Sequence, residues 1–209
     1  MTDAAVQSLK ILRSTASFQW YVVPLLAGVI YVYATEVERK NWHGLLAGLL
    51  LWTAEFLWEI LNALLLHFSQ FAPAWCTPGN TAYLIMTGLN IEIASMFAVA
   101  GLVLIKLLPQ DREIKILNLP NRLVIPALLG LFCVGVEVIL NQWGALVWAY
   151  SWWRWPNIYL IIVGYCAPFY GVTWFYDRFS LRAKAACLVG ALALVISAWL
   201  VFAVGLKWI

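Results

Sequence analysis

The stretch HGLLAGLLLWTAEFLWEILNALLLH, residues 43–67, decides how this chain is read. Its apolar length matches the roughly 20 residues that an α-helix needs to cross a bilayer. Yet AEFLWEILN at 54–62 places two glutamates and an asparagine inside it. A helix crossing lipid with carboxyl groups at its centre must turn them toward a cavity or other helices, because each costs roughly 2.5–3.5 kcal/mol on insertion scales.

The rest of the chain agrees with a membrane setting. It is 64% hydrophobic and only 11% charged, against the roughly 25% of an ordinary soluble domain. Further apolar stretches lie at 18–36, 79–108, 123–147, 157–177 and 184–206. They are continuous rather than alternating, which favours helices over a transmembrane barrel. The expectation is an all-α, polytopic transmembrane helix bundle of about six spans, with residues 1–209 forming one integral-membrane domain. Asp3, Lys10 and Arg13 interrupt the first seventeen residues, so no removable signal peptide is read there.

Basic residues set the orientation. Arg39, Lys40, Lys106, Arg112, Lys115, Arg122, Arg178, Arg182 and Lys184 collect on one side of the expected spans, which is assigned to the cytoplasm. Lys10, Arg13, Arg154 and Lys207 fall on the other. The formal charge of +3 reflects this topology signal rather than nucleic-acid binding. The setting is multi-pass in a membrane, the cell membrane if the source is prokaryotic. Cys76, Cys133, Cys166 and Cys187 are scattered without a C-x-x-C pair and are read as packing residues.

Two connectors stand out. FSQFAPAWCTPGN, 68–80, is uncharged and contains two prolines; it reads as an interfacial turn or a lid. WAYSWWRWPN, 148–157, has the composition of an interfacial aromatic belt around Arg154. EILN at 59–62 is echoed by EVILN at 137–141, a match too short to establish duplication.

Four glutamates fall within the apolar stretches: Glu55, Glu59, Glu92 and Glu137. At about 100° per residue, Trp52, Glu55, Glu59 and Asn62 share one narrow arc. Glu137 and Asn141, four apart, share a face. On the third stretch Glu92 and Asn90 point in nearly opposite directions, so one or the other faces a common centre. No Lys or Arg lies at that depth, so the acids are expected to be uncharged. Trp58, Tyr170 and Trp174 add aromatic faces that attract positive charge. The site expected from these residues has Glu59, Glu55, Glu92 and Glu137 in acid–base roles. Asn62, Asn90, Asn141, Trp52, Trp58, Tyr170 and Trp174 contact the substrate.

Only His43 and His67 are present, too few for histidine-rich metal sites, and H-E-x-x-H, G-x-S-x-G and P-loop motifs are missing. The reading assigns neither a metal nor a cofactor and leaves acid–base chemistry for an enzyme. The same acids also suit a proton- or cation-coupled transporter, or a structural subunit in which they hold helices together.

ERKNWHG at 38–44 followed by WEI at 58–60, GALVWAYSWW at 144–153 and YGVTWFY at 170–176 resemble the small integral-membrane terpene cyclases of meroterpenoid and indole-diterpene pathways. The resemblance implies acid-initiated, metal-free cyclisation of an isoprenoid substrate, with Glu59 as the matching acid. The second acid of that pattern would precede YG, where this chain has Ala167 and Pro168. Glu92 or Glu137 would then accept the proton. The implied partners are an isoprenoid or other lipid-like small molecule and the membrane lipids.

Overall fold

In the computed structural model, which describes residues 1–16 and 18–209, helices make up most of the chain. They are α1 (Asp3–Ile11), α2 (Val22–Glu38), α3 (Trp42–Ser69), α4 (Ile91–Leu107), α5 (Asn121–Gln142), α6 (Ala167–Arg178) and α7 (Leu181–Trp199). A π-helical segment, Leu160–Cys166, runs directly into α6, and another, Leu200–Gly205, extends α7.

Among the described residues three helices are long and apolar enough to cross a membrane: α3, α5 and the continuous Leu181–Gly205. The six crossings expected from hydropathy therefore resolve into these three and three shorter pieces. α2 and α4 have 17 residues each, and α6 has 12 beyond its π-helical lead-in. The largest departure is at 79–108, where the helix begins only at Ile91. Before it, β2 (Leu84–Met86) and β3 (Leu89–Asn90) form a hairpin around Thr87 and Gly88, and the Asn90 side chain caps α4 by accepting from Ile93 N at 2.8 Å. Hydropathy alone does not separate an apolar hairpin from a helix.

The bundle is assembled from both ends and from its middle. In the middle, α3 and α4 approach until a Cβ on Gly101 would lie 2.8 Å from Gly48 Cα. Small residues at this crossing permit the close backbone packing that drives helix association in lipid. At the end rich in Lys and Arg, called the basic face below, Asp177 pairs with Arg122 at 2.9 Å and Arg112 at 3.2 Å. Nearby, Lys184 is fully buried and donates to Tyr176 O at 2.6 Å, with His43 Nδ1 2.7 Å away. Glu36 pairs with Lys106 at 2.5 Å, joining α2 to α4. A further hairpin, β4 (Lys115–Ile116) with β5 (Leu119–Pro120), caps this face.

The opposite, aromatic face is closed by a different device. Strand β1 (Trp75–Cys76) lies after α3 and β6 (Val147–Trp148) lies after α5, and the two pair antiparallel with Trp75 opposite Trp148. Residues 68–80, which suggested a turn or a lid, are thus pinned to the second connector and also to α1, through Thr2 N donating to Phe71 O at 3.0 Å. Outside the core, α7 leaves Val189, Leu194 and Ile196 more than half exposed. That apolar surface suits contact with lipid tails. All four cysteines are free thiols.

Candidate active site

Glu59 is fully buried on α3, and its Oε1 accepts a hydrogen bond from Trp75 Nε1 at 2.6 Å. Asn62, one turn further on, makes that bond possible. Its Oδ1 accepts from Ala74 N at 2.7 Å, and its Nδ2 donates to Trp75 O at 2.8 Å. The backbone that carries Trp75 is therefore fixed to the same helix face as the acid it caps. Gly88 clears the space, since a Cβ there would sit 2.5 Å from Trp75 Nε1.

A parallel arrangement exists on α5. Glu137 Oε1 accepts from Trp148 Nε1 at 2.9 Å, and Asn141 Nδ2 donates to Leu146 O at 3.0 Å, holding the returning connector. The echo of EILN in EVILN thus corresponds to a repeated device: a buried glutamate, an asparagine a turn later that fastens the following loop, and an indole N–H that the loop sends back. Because Trp75 and Trp148 are cross-strand partners, the β1–β6 ribbon delivers both indoles together.

Glu55 and Glu137 line a cavity of about 40 Å³. Its walls include Trp58, Trp75, Phe97, Trp153 and Tyr165. Glu59 does not line it but stands behind Trp75, within electrostatic reach of both other acids. Glu55 accepts no hydrogen bond among the described residues. Glu59 Oε2 and Glu137 Oε2 make no hydrogen bond of normal geometry, although the Asn62 side chain and the Gly88 backbone N–H stand near Glu59 and the Tyr165 hydroxyl near Glu137. Carboxyl oxygens that are buried and unpaired are costly. At the cavity itself Glu55 and Glu137 mark a place where a further donor, a proton or a substrate would be accommodated.

The π-helical segment shapes the far wall. Gly164 lies against Trp153, whose ring is 3.2 Å from where a Cβ would be, and the neighbouring Tyr165 stacks parallel to Phe97 at 6.4 Å. Trp153 in turn stacks on Trp75 at 5.3 Å. Widened helical turns of this kind are often found at functional sites.

Other residues singled out from sequence lie elsewhere. Glu92 accepts from Thr81 Oγ1 at 2.6 Å, Ala82 N at 2.9 Å and the Tyr21 hydroxyl, which ties α4 to the preceding loop and to the start of α2. Asn90 is the α4 cap. Trp52 packs edge-on against Phe56 and leaves its indole N–H unpaired. Tyr170 donates to Leu123 O at 2.6 Å, and Trp174 is 59% exposed, both outside the acid cavity. Trp75, Trp148 and Trp153 were not identified from sequence, because their loops read as interfacial turns. The readable signal was a tryptophan following each glutamate–asparagine pair.

A second, apolar groove of about 470 Å³ opens between α2, α4 and α5, with Glu92 and Ser95 on its wall. Met96 and Cys133 line both spaces and separate them. Among the described residues no group of three or more His, Cys, Asp or Glu side chains is arranged to hold a metal ion.

No solved structure matches the chain. It is 45% identical over 209 residues to a protein of Archaeoglobus fulgidus described as "Uncharacterized protein", covering 100% of this chain and 99% of that one. Residues 2–204 match the family described as "Uncharacterized membrane protein family". Neither description carries an activity, so what they add to the geometry is membership: the chain belongs to this membrane protein family.

Proposed function

We propose that the protein is an intramembrane acid–base enzyme that cyclises or isomerises a hydrophobic substrate of the isoprenoid class. One observation carries the reading: Glu55 and Glu137, on different helices, line a single cavity walled in part by aromatic rings. One acid gives its proton to a substrate double bond or epoxide, and the other, as carboxylate, takes a proton from a neighbouring carbon. Glu59, behind Trp75, completes the cycle by passing the proton between them. Trp58, Trp75, Phe97, Trp153 and Tyr165 offer π-faces to the cationic intermediate. The resemblance to membrane terpene cyclases supports the substrate class.

At about 40 Å³ the cavity holds only a water or two. A substrate therefore enters by displacing the partition of Met96 and Cys133 from the lipid-facing groove. Methionine is suited to this, being unbranched and adaptable. Identifying lipid that co-purifies with the protein supplies the assay substrate. Glu55→Gln and Glu137→Gln should each lower its turnover by roughly 10²–10⁴-fold with the fold retained. Wild-type turnover in both would reject the assignment.

The water-sized cavity also favours a second reading, proton-coupled transport through the same acids. In that case reconstituted protein drives flux that depends on a pH gradient, the same variants abolish it, and no lipid is converted. If the acids serve only to hold helices, the variants alter melting temperature and neither activity.

A further inference from the structure

Lys10, Arg13, Arg154 and Lys207 are the basic residues of the aromatic face, and two of them converge. Arg13 and Lys207 line a cavity of about 220 Å³ walled by α1, α3, the β2–β3 hairpin and the residues after α7. This is several times the ~30 Å³ that a water occupies in liquid, enough for a compact polar group. Its remaining wall is largely apolar, including Leu12, Leu66, Met86 and Trp208.

Two donors on residues of this wall have no hydrogen-bond partner and are themselves buried, so a group in the cavity reaches them after a side-chain rotation. Thr87 is 3% exposed, and its Oγ1 has no hydrogen-bond partner. Arg13 Nη2 is likewise buried and unpaired. The rest of the guanidinium is already held: Nε donates to Ile85 O at 3.3 Å, Nη1 reaches Ile209 O at 3.5 Å, and its carbon lies 4.5 Å from the Trp199 ring centroid. Arg13 is thus held in place with both N–H groups of Nη2 to spare. Both cations also adopt left-handed backbone conformations, with φ of 55° at each. For residues other than glycine that geometry is uncommon and is retained where the surroundings impose it.

We propose that this cavity binds the phosphate group of a phosphate ester at the membrane surface. Arg13 and Thr87 donate hydrogen bonds to its non-bridging oxygens, and Lys207 supplies a mobile point charge. Trp208 stacks on His67 at 4.6 Å beside the cavity, which suits the headgroup level where tryptophan concentrates. None of these residues lines the acid cavity, so the proposal stands or falls separately from the acid–base reading.

The test uses full-length protein in detergent, with dioleoyl phosphatidic acid, dioleoylglycerol and inorganic phosphate as probes. Native mass spectrometry should show phosphatidic acid retained at least about tenfold better than dioleoylglycerol, which has the same tails without the phosphate. Thr87→Val and Lys207→Gln should each weaken that retention severalfold, and Arg13→Gln most of all. Without ligand, Thr87→Val should melt no lower than wild type, because it removes a buried hydroxyl that has no partner. Inorganic phosphate that also raises the melting temperature identifies the phosphate itself as sufficient; an effect of phosphatidic acid alone assigns the site to lipid. Equal retention of the two lipids, or undiminished retention in both Thr87→Val and Lys207→Gln, overturns the proposal even if Arg13→Gln fails to fold.

Discussion

A single methyl group separates Gly88 from disrupting the Glu59 cap. Gly88→Ala would place a carbon 2.5 Å from Trp75 Nε1 and 2.7 Å from Asn62 Nδ2, so the indole must move off the carboxyl. Leaving Glu59 without its donor is expected to cost about 1–3 kcal/mol, the penalty for a buried polar group that loses its partner. A melting-temperature decrease in Gly88→Ala that Glu59→Gln does not reproduce would check this, since glutamine keeps an oxygen for the indole. Asn62→Ala should be comparably damaging, because Ala74 N and Trp75 O both lose their partners. Its signature would be faster proteolysis within residues 70–80. The polar arc of Glu55, Glu59 and Asn62 is legible in the sequence from helical geometry alone. That Asn62 serves the backbone, and that Glu59 stands behind an indole, depends on a loop residue thirteen positions beyond Asn62.

At the scale of elements, α3 and α4 cross in close backbone contact. Gly101→Val would drive its Cβ against Gly48 Cα, which is backbone and cannot swing aside. Overpacking of this kind costs about 1–3 kcal/mol or more. Gly135→Val is the matched control, since nothing lies within 4 Å of a Cβ there. The expected outcome is a lowered melting temperature for the first variant and near wild-type behaviour for the second. The β1–β6 ribbon is the other decisive element. With only two residues per strand, it carries no periodicity that a sequence reading can detect, and its partners lie on separate connectors. The run 79–90 was likewise read as part of a span, because its apolar residues satisfy hydropathy equally well as a hairpin.

For the whole molecule, the two faces differ in chemistry. The basic face is fastened by ion pairs at Asp177 and Glu36, the aromatic face by paired tryptophan-bearing loops. If Lys and Arg set orientation as they do elsewhere, Lys115→Cys in the β4–β5 hairpin should react with an impermeant thiol reagent only after cells are opened. Ser151→Cys should react in intact cells. The reverse labelling pattern would invert the assigned topology. Length and hydropathy were enough to identify a membrane-embedded helical chain. They did not establish how many segments cross fully, because α2, α4 and α6 are shorter than the apolar stretches they overlap.

The sequence by itself determined the solvent of this protein and the helix faces on which its acids lie, since composition and 3.6-residue periodicity are local properties. Tertiary structure alone decided which acids meet. It grouped Glu55, Glu59 and Glu137 and committed Glu92 to a loop anchor, because hydrogen-bond partners come from connectors whose course is fixed by long-range pairing.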